Sequence, residues 1–234
     1  SRAIAKVHPS ILCGVSTDAP TSINDRRNVW CASKESNYKL LADILGEICD
    51  LFPSEYIHIG GDEVFASQWN GCASCKQLMQ QKGYTKTKQL TDHFIARLSK
   101  EILKEHGKKA CVWDEASESG TMDKDNIVYG WQGAPEALAA AKKGYKTIVM
   151  PGTFFYIDQN PSADEDGINW GGIIDIKKVY SFSFPALGFD STVMKNIIGI
   201  EGAFWSELLL SHTPEYLDYQ AYPRLCAIAE VAWT

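Results

Sequence analysis

The sequence predicts an α/β protein whose strands pair in parallel, of the kind that closes into a barrel. Two observations lead there. Short apolar strands alternate with helical stretches through five strand-then-helix modules. Strands separated by helices pair in parallel through right-handed crossovers. The second observation lies at the exits of the five strands, which carry Asp62-Glu63, Trp113-Asp114-Glu115, Trp131, Tyr156 with Asp158, and Trp205 with Glu207. In a parallel α/β barrel the carboxyl ends of the strands converge on one mouth, where the chemistry is done. A single Trp at a strand end packs as readily under a helix. The same placement at five ends makes that reading hard to hold for all of them.

Each element has its own local signal. Ser33 to Phe52 carries apolar residues at Tyr38, Leu41, Leu45, Ile48 and Phe52, a helical stripe that Pro53 ends. Tyr56 to Ile59 is a short strand stopped by Gly60-Gly61. Cys75 to Gln81 forms a short helix closed by Gly83. Leu90, Phe94, Leu98 and Ile102 stand four apart, so Lys86 to His106 is a helix with Gly107 as its stop. Ala110 to Trp113 and Ile127 to Trp131 are strands. Pro135 opens a helix that runs through Lys143 to Gly144. Thr147 to Met150 is a strand, with a loop from there through Phe155. Ile197 to Phe204 is a strand containing two glycines. Pro214 opens the last helical stretch, which Pro223 breaks or restarts. The segment from Gly152 to Asp190 is long and irregular, the mark of a functional loop insertion.

Composition narrows the function. The chain has 234 residues, 45% hydrophobic and 22% charged, with a net charge of −6. Such values exclude a disordered, collagen-like or coiled-coil chain and fit one large domain or two small ones. An acidic balance without a Lys/Arg block argues against a nucleic-acid partner. The 7 Trp, 10 Tyr and 9 Phe exceed what a small core requires and suggest a pocket for a neutral ring-shaped ligand. No apolar run reaches the roughly 18 residues of a membrane span. Ser1 brings neither an initiator Met nor a signal peptide, so the chain reads as a processed or excised piece whose start does not report its compartment. Seven Cys are too few for a disulfide scaffold. Cys72-Ala-Ser-Cys75 is one C-x-x-C, and a zinc site needs a second pair or a His pair at similar spacing. None is visible, so the expectation is a local disulfide or free thiols, with no metal and no cofactor.

The segment richest in chemistry is Tyr56-Ile57-His58-Ile59-Gly60-Gly61-Asp62-Glu63-Val64. Alternation puts His58, Gly60 and Asp62 on one face. The glycines let a ligand approach the backbone. Adjacent carboxyls at one site push their pKa values apart, so one remains available as an acid. A bare Asp-Glu pair would read as a solvated turn; the Gly-Gly before it and the apolar strand behind it do not.

These residues resemble a known family. His58-Ile59-Gly60-Gly61-Asp62-Glu63 matches the signature of glycoside hydrolase family 20, the β-N-acetylhexosaminidases. Val112-Trp113-Asp114-Glu115 resembles its Trp-Asp-Glu strand end, and Tyr156-Ile157-Asp158 its Tyr-x-Asp segment. Gly202-Ala203-Phe204-Trp205-Ser206-Glu207 and Tyr222-Pro223-Arg224-Leu225 resemble its closing motifs. The resemblance implies a glycosidase that removes terminal N-acetylglucosamine or N-acetylgalactosamine with retention, the substrate's 2-acetamido oxygen acting as nucleophile. It implies that Asp62 orients the acetamide, Glu63 is the acid/base, and Tyr156 hydrogen-bonds the acetamide oxygen. Trp113, Trp131 and Trp205 would wall the pocket, Asp158 and Glu207 accept hydroxyls, and Trp170 stack on the next sugar. His58 would be a supporting hydrogen-bonder. Asp114 and Glu115 are the rival acidic pair; alternation separates their faces, and the resemblance gives the acid role to Glu63, which together leave them a structural role.

The family barrel is a (β/α)8 TIM-barrel type with eight strands, and five are found here. The expectation is a single partial barrel over residues 1–234, with Ser1 to Ala5 coming after the family's third strand. The first three strands would then be missing, and with them an Arg and a His–Asp pair. An open parallel sheet would need self-association or complementation by the missing half. The alternatives are a catalytically incomplete fragment that at most binds amino sugars, and a barrel hydrolase holding a metal. The latter is disfavoured because the five His fall mostly away from the strand ends. The resemblance implies export to the periplasm, the cell exterior or a lysosome.

Overall fold

The computed structural model describes residues 2–13, 29–165, 167–207 and 212–233. It is α/β, and it divides into two compact units, Ser1–Asp123 and Lys124–Thr234. Of the opening segment, Ser1 lies outside the described residues.

The first unit begins with α1 (Arg2–Val7) and a 3-10 turn (Pro9–Ile11), before α2 (Glu35–Leu51). Tyr38, Leu45 and Cys49 of α2 are buried. Phe52, expected on the buried stripe, lies past the last turn and is exposed, because the chain leaves the helix one residue before Pro53. Strand β1 (Tyr56–His58) leads to α3 (Ser67–Gly71), α4 (Ala73–Lys82) and α5 (Lys88–Ala96). The helix read as Lys86 to His106 is not uniform: α5 passes into a π-helical stretch, Arg97–Leu103. There Ser99 Oγ donates to the Ile95 carbonyl at 2.9 Å, a back-bond that competes with the regular ladder. Strand β2 (Lys109–Trp113) pairs in parallel with β1, Ile57 opposite Ala110 and His58 opposite Cys111.

The second unit holds β3 (Ile127–Gly130), α6 (Ala134–Lys142), β4 (Lys146–Val149), α7 (Gly152–Phe155), α8 (Ile176–Tyr180), α9 (Ser191–Met194), β5 (Ile197–Ile200), α10 (Pro214–Ala221) and α11 (Arg224–Trp233). Strand β4 pairs in parallel with β3 and with β5. The segment after β4, expected as a loop through Phe155, forms the helical turn α7. Strand β5 is shorter than expected: it stops at Ile200, and a bridge of Ala203 to Tyr156 continues the parallel course. Pro223 does separate two helices, through a cis Tyr222–Pro223 bond. The unit's core gathers Val149, Phe155, Ile157, Ile174, Val179 and Ile228. Burying a side chain of this size contributes about 1.5–3 kcal/mol, so these six set the unit's packing.

Candidate active site

In the first unit the site grows from the exit of β1. The ladder with β2 runs past the assigned strand, Ile59 N–H donating to the Cys111 carbonyl (2.9 Å) and Trp113 N–H to that of Gly60 (3.0 Å). The chain then turns on Gly60 and Gly61, at φ +76 and +101. The face-sharing of His58, Gly60 and Asp62 expected from alternation therefore ends at His58, because left-handed backbone breaks the pleat. Gly61 is required twice over: only glycine adopts its φ readily, and a Cβ there would stand 2.8 Å from Ala116 Cβ.

Glu63 itself holds φ +46, rare for a residue with a side chain. Glu115 compensates, since Glu63 N–H donates to its Oε2 at 3.0 Å and its Oε1 at 3.2 Å. The Glu115 carbonyl in turn accepts from Lys88 Nζ at 2.7 Å. Asp114 is buried, and its Oδ1 accepts from Glu115 N–H (3.0 Å). The acids at the end of β2 thus hold the acid-bearing turn after β1, a task that strand alternation alone does not reveal.

Charge at this turn is crowded. Burial raises the Glu115 carboxyl, and the charges of Asp62 and Glu63 raise it further against the Glu63 N–H and Lys88. Asp62 reaches solvent, yet the protein around it pushes its carboxyl up. His58 Nδ1 accepts from Gly60 N–H (3.1 Å), so that nitrogen carries no proton. Burial lowers this imidazole to about 4, which agrees with a neutral ring, and Trp113 lies against it at 4.6 Å. A cleft of ≈ 320 Å³ opens beside the turn, with Asp62, Glu63, Trp30 and Trp69 in its wall.

In the second unit, backbone bonds past the strands set the aromatic residues. Gly152 N–H donates to the Trp131 carbonyl (2.7 Å), and Ile157 N–H to that of Ala203 (2.9 Å). Trp131 and Tyr156 stack with centroids 6.3 Å apart; Trp170 meets both edge-on, and Trp205 approaches Tyr156 at 6.2 Å. Trp170 covers Gly152 so closely that any Cβ would overlap its ring. Tyr156 is buried, while Trp170 and Trp205 are 51% and 42% exposed, as wall residues of an open pocket would be.

Asp158 is 2% exposed, and its Oδ1 has no hydrogen-bond partner among the described residues; neither has Trp131 Nε1. An unmatched buried acceptor and donor beside an aromatic wall suit a ligand bearing hydroxyl and amide groups. Burial pushes the Asp158 carboxyl up to about 6, with the Glu207 charge adding and its own and the Trp205 backbone N–H groups opposing. Glu207 is exposed.

Arg224, which sequence reasoning places only within a motif, is the organiser of this loop. It is buried and donates from Nη1 to the carbonyls of Gln159 (3.0 Å) and Ile174 (2.9 Å), and from Nη2 to that of Ile157. It therefore clamps the backbone on both sides of Asp158. A lone Arg opening a helix gives no sequence signal of that role.

The cysteines require a correction. Cys72-Ala-Ser-Cys75 does not stand alone, and no local disulfide forms: Cys13, Cys31, Cys72 and Cys75 are free, buried and gathered with their sulfurs within 4.8 Å of one another. Cys13 and Cys31 are far apart in sequence and lie before and after residues 14–28, so no short spacing announces them.

The family model for the glycosyl hydrolase family 20 catalytic domain matches residues 1–234. A beta-hexosaminidase of Vibrio furnissii is 35% identical over 205 residues, which is 86% of this chain and 33% of that protein. One of Porphyromonas gingivalis is 33% identical over 230 residues, 97% of this chain and 28% of that protein. The crystal structure of the GH20 exo beta-N-acetylglucosaminidase of Vibrio harveyi, in complex with N-acetylglucosamine, superposes with a TM-score of 0.86 at 32% identity, covering 100% of this chain and 37% of that one. The chain spans about a third of the length of these relatives. The likeness over its whole length gives it the (β/α)8 TIM-barrel type of fold.

Proposed function

Since the chain belongs to glycosyl hydrolase family 20, we propose that it carries the acid/base end of a β-N-acetylhexosaminidase. The enzyme releases terminal non-reducing N-acetylglucosamine or N-acetylgalactosamine from a glycoside, without a cofactor, in an exported protein. Residues 1–234 act as one catalytic domain with the last five modules of the barrel.

In the first step the acetamide oxygen of the bound sugar attacks its own anomeric carbon. The C–O bond to the leaving group breaks, and Glu63 gives that oxygen its proton. An internal nucleophile held in line can supply roughly 7–11 kcal/mol of the barrier. Asp62 accepts from the acetamide N–H and stabilises the charge that grows on nitrogen, while the Tyr156 hydroxyl donates to the acetamide oxygen. In the second step Glu63 removes a proton from water as it attacks the anomeric carbon, which restores the acetamide with retention. Trp113, Trp131 and Trp205 wall the sugar, Asp158 and Glu207 take its hydroxyls, Trp170 stacks on the next residue, and His58 supports the turn.

The observation that carries this proposal is the Gly60-Gly61-Asp62-Glu63 turn, pinned by Glu115, in a chain that the family model matches throughout. The test is turnover of a chromogenic N-acetylglucosaminide by the purified protein, with and without a thiazoline analogue of the cyclised intermediate. Turnover blocked by the thiazoline is expected. Turnover indifferent to it would rule out the acetamide as nucleophile, and tight thiazoline binding without turnover would reduce the site to an amino-sugar binder.

A further inference from the structure

We propose that Cys13, Cys31, Cys72 and Cys75 form a structural zinc site that ties three stretches of the first unit together beside the acid-bearing turn. The spacing of the sulfurs is the first support. Tetrahedral zinc with Zn–S bonds of about 2.3 Å sets its ligands about 3.8 Å apart. The observed separations are 3.8 Å for Cys13–Cys75, 3.9 Å for Cys31–Cys72 and 3.5 Å for Cys31–Cys75. A disulfide would need about 2.05 Å. The four thiols face one point rather than forming two bonded pairs.

The surroundings are those of a prepared ligand set. All four cysteines are buried, in a cluster with Val29, Trp69 and Leu90. Ser33 Oγ lies 3.2 Å from Cys31 Sγ, and Ser74 Oγ lies 3.2 Å from Cys72 Sγ. Hydroxyls two residues after a cysteine orient its sulfur, as outer partners of a metal ligand do. The stretches that bring in Cys13 and Cys31 are fixed by Asn37, whose Nδ2 donates to the carbonyls of Ile11 (2.8 Å) and Cys31 (2.9 Å). Lys34 Nζ reaches the carbonyls of Ser10 and Leu12, each at 2.7 Å.

Four thiolates suit zinc, whereas hard cations take oxygen ligands. Val64 and Ala66, just past Glu63 in the chain, pack on this cluster. The metal would therefore fix the floor beneath the acid pair without touching substrate.

The experiment is elemental analysis of the purified protein, prepared without chelator. About one zinc per chain is expected, released by an organomercurial in step with thiol modification. Replacement by Co²⁺ should give the strong visible absorption of tetrahedral thiolate coordination. Cys75→Ser should lose the metal, and Cys226→Ser should keep it. Should Cys75→Ser fail to fold, Cys13→His offers a nitrogen ligand at the Cys13 corner and should retain zinc. Protein without zinc, as isolated and after incubation with Zn²⁺ under reducing conditions, would overturn the proposal. So would an intact mass showing these cysteines joined as disulfides in the active protein.

Discussion

Replacing Gly61 by Ala tests how the acid-bearing turn is held. The residue sits at φ +101, and the new methyl would lie 2.8 Å from Ala116 Cβ and 3.3 Å from Ile95 Cδ1. Backbone strain of this kind costs about 1–3 kcal/mol. Forcing a methyl into a filled space costs a further 1–3 or so, giving about 2–6 together. At roughly 2–4 °C per kcal/mol for a chain of this size, the melting temperature should fall by about 5–20 °C. Catalysis should fall as well, by an amount comparable in free energy to the loss of stability. Ala116 adjoins Glu115, whose carboxylate holds Glu63 N–H, so a retreat of Ala116 shifts the clamp on the acid. Misplacing a catalytic group by about 1 Å costs on the order of 10²-fold in rate. Gly83→Ala is the control: at φ +67 with nothing within 4 Å, it bears the conformational cost alone, about 1–2 kcal/mol. Melting curves and kcat on an unactivated glycoside, measured for both variants, decide the matter. If Gly61→Ala matches Gly83→Ala in both, the close approach to Ala116 does not position the acid.

Three other perturbations address the chemistry and its frame. Glu63→Gln should lose about 10²–10⁴ in kcat on glycosides with poor leaving groups and much less on activated ones, whereas Asp62→Asn should cripple both; equal losses for Glu63→Gln across leaving groups would contradict its acid role. Asp158 has a carboxyl raised to about 6 in the folded protein, so the wild type is favoured while that group is protonated, below about 3.8, and loses the advantage as pH rises through about 6. Asp158→Asn has no such loss and should gain about 2–3 kcal/mol on the wild type between pH 4 and 7; a stability difference constant with pH, from denaturant melts, would refute the burial of a titrating group. Arg224→Met should cost about 3 kcal/mol or more, since the carbonyls of Ile157, Gln159 and Ile174 lose a buried donor at about 1–3 kcal/mol each. Arg224→Lys should not restore it, because an ammonium cannot span three carbonyls; a wild-type denaturant midpoint in Arg224→Met would show that the clamp contributes nothing.

The sequence discloses what is encoded locally. The helix over Glu35–Leu51 is legible because its stripe and its Pro53 stop lie within or beside it, and α4 because Gly83 can take the left-handed cap that closes it. The strands are legible as short apolar runs between helical stretches. Errors arise where a neighbour distant in sequence overrides the local pattern. Tyr156 bridges to Ala203, 47 residues on, so the stretch around it forms a turn and a bridge instead of an open loop. Phe52 fits the helical period but falls after the last turn, where period no longer implies burial.

The same division runs through the site. Asp62 and Glu63 stand out because Gly-Gly-Asp-Glu at a strand exit is a local device. The groups that make the device rigid come from elsewhere: Glu115 lies 52 residues on, and the Cys72/Cys75 pair meets partners 62 and 44 residues away from Cys75. A strand's alternation assigns Asp114 and Glu115 to faces but cannot tell that one of them will take a backbone N–H across a parallel neighbour. Glu63 keeps a left-handed backbone while its N–H donates to that acceptor, and the strain is of the size that one charge-assisted bond, roughly 1.5–3 kcal/mol, offsets. The acid is thus named by its own segment and placed by another, which is why Glu115→Ala should disturb the geometry of Glu63 although it removes none of the reacting atoms.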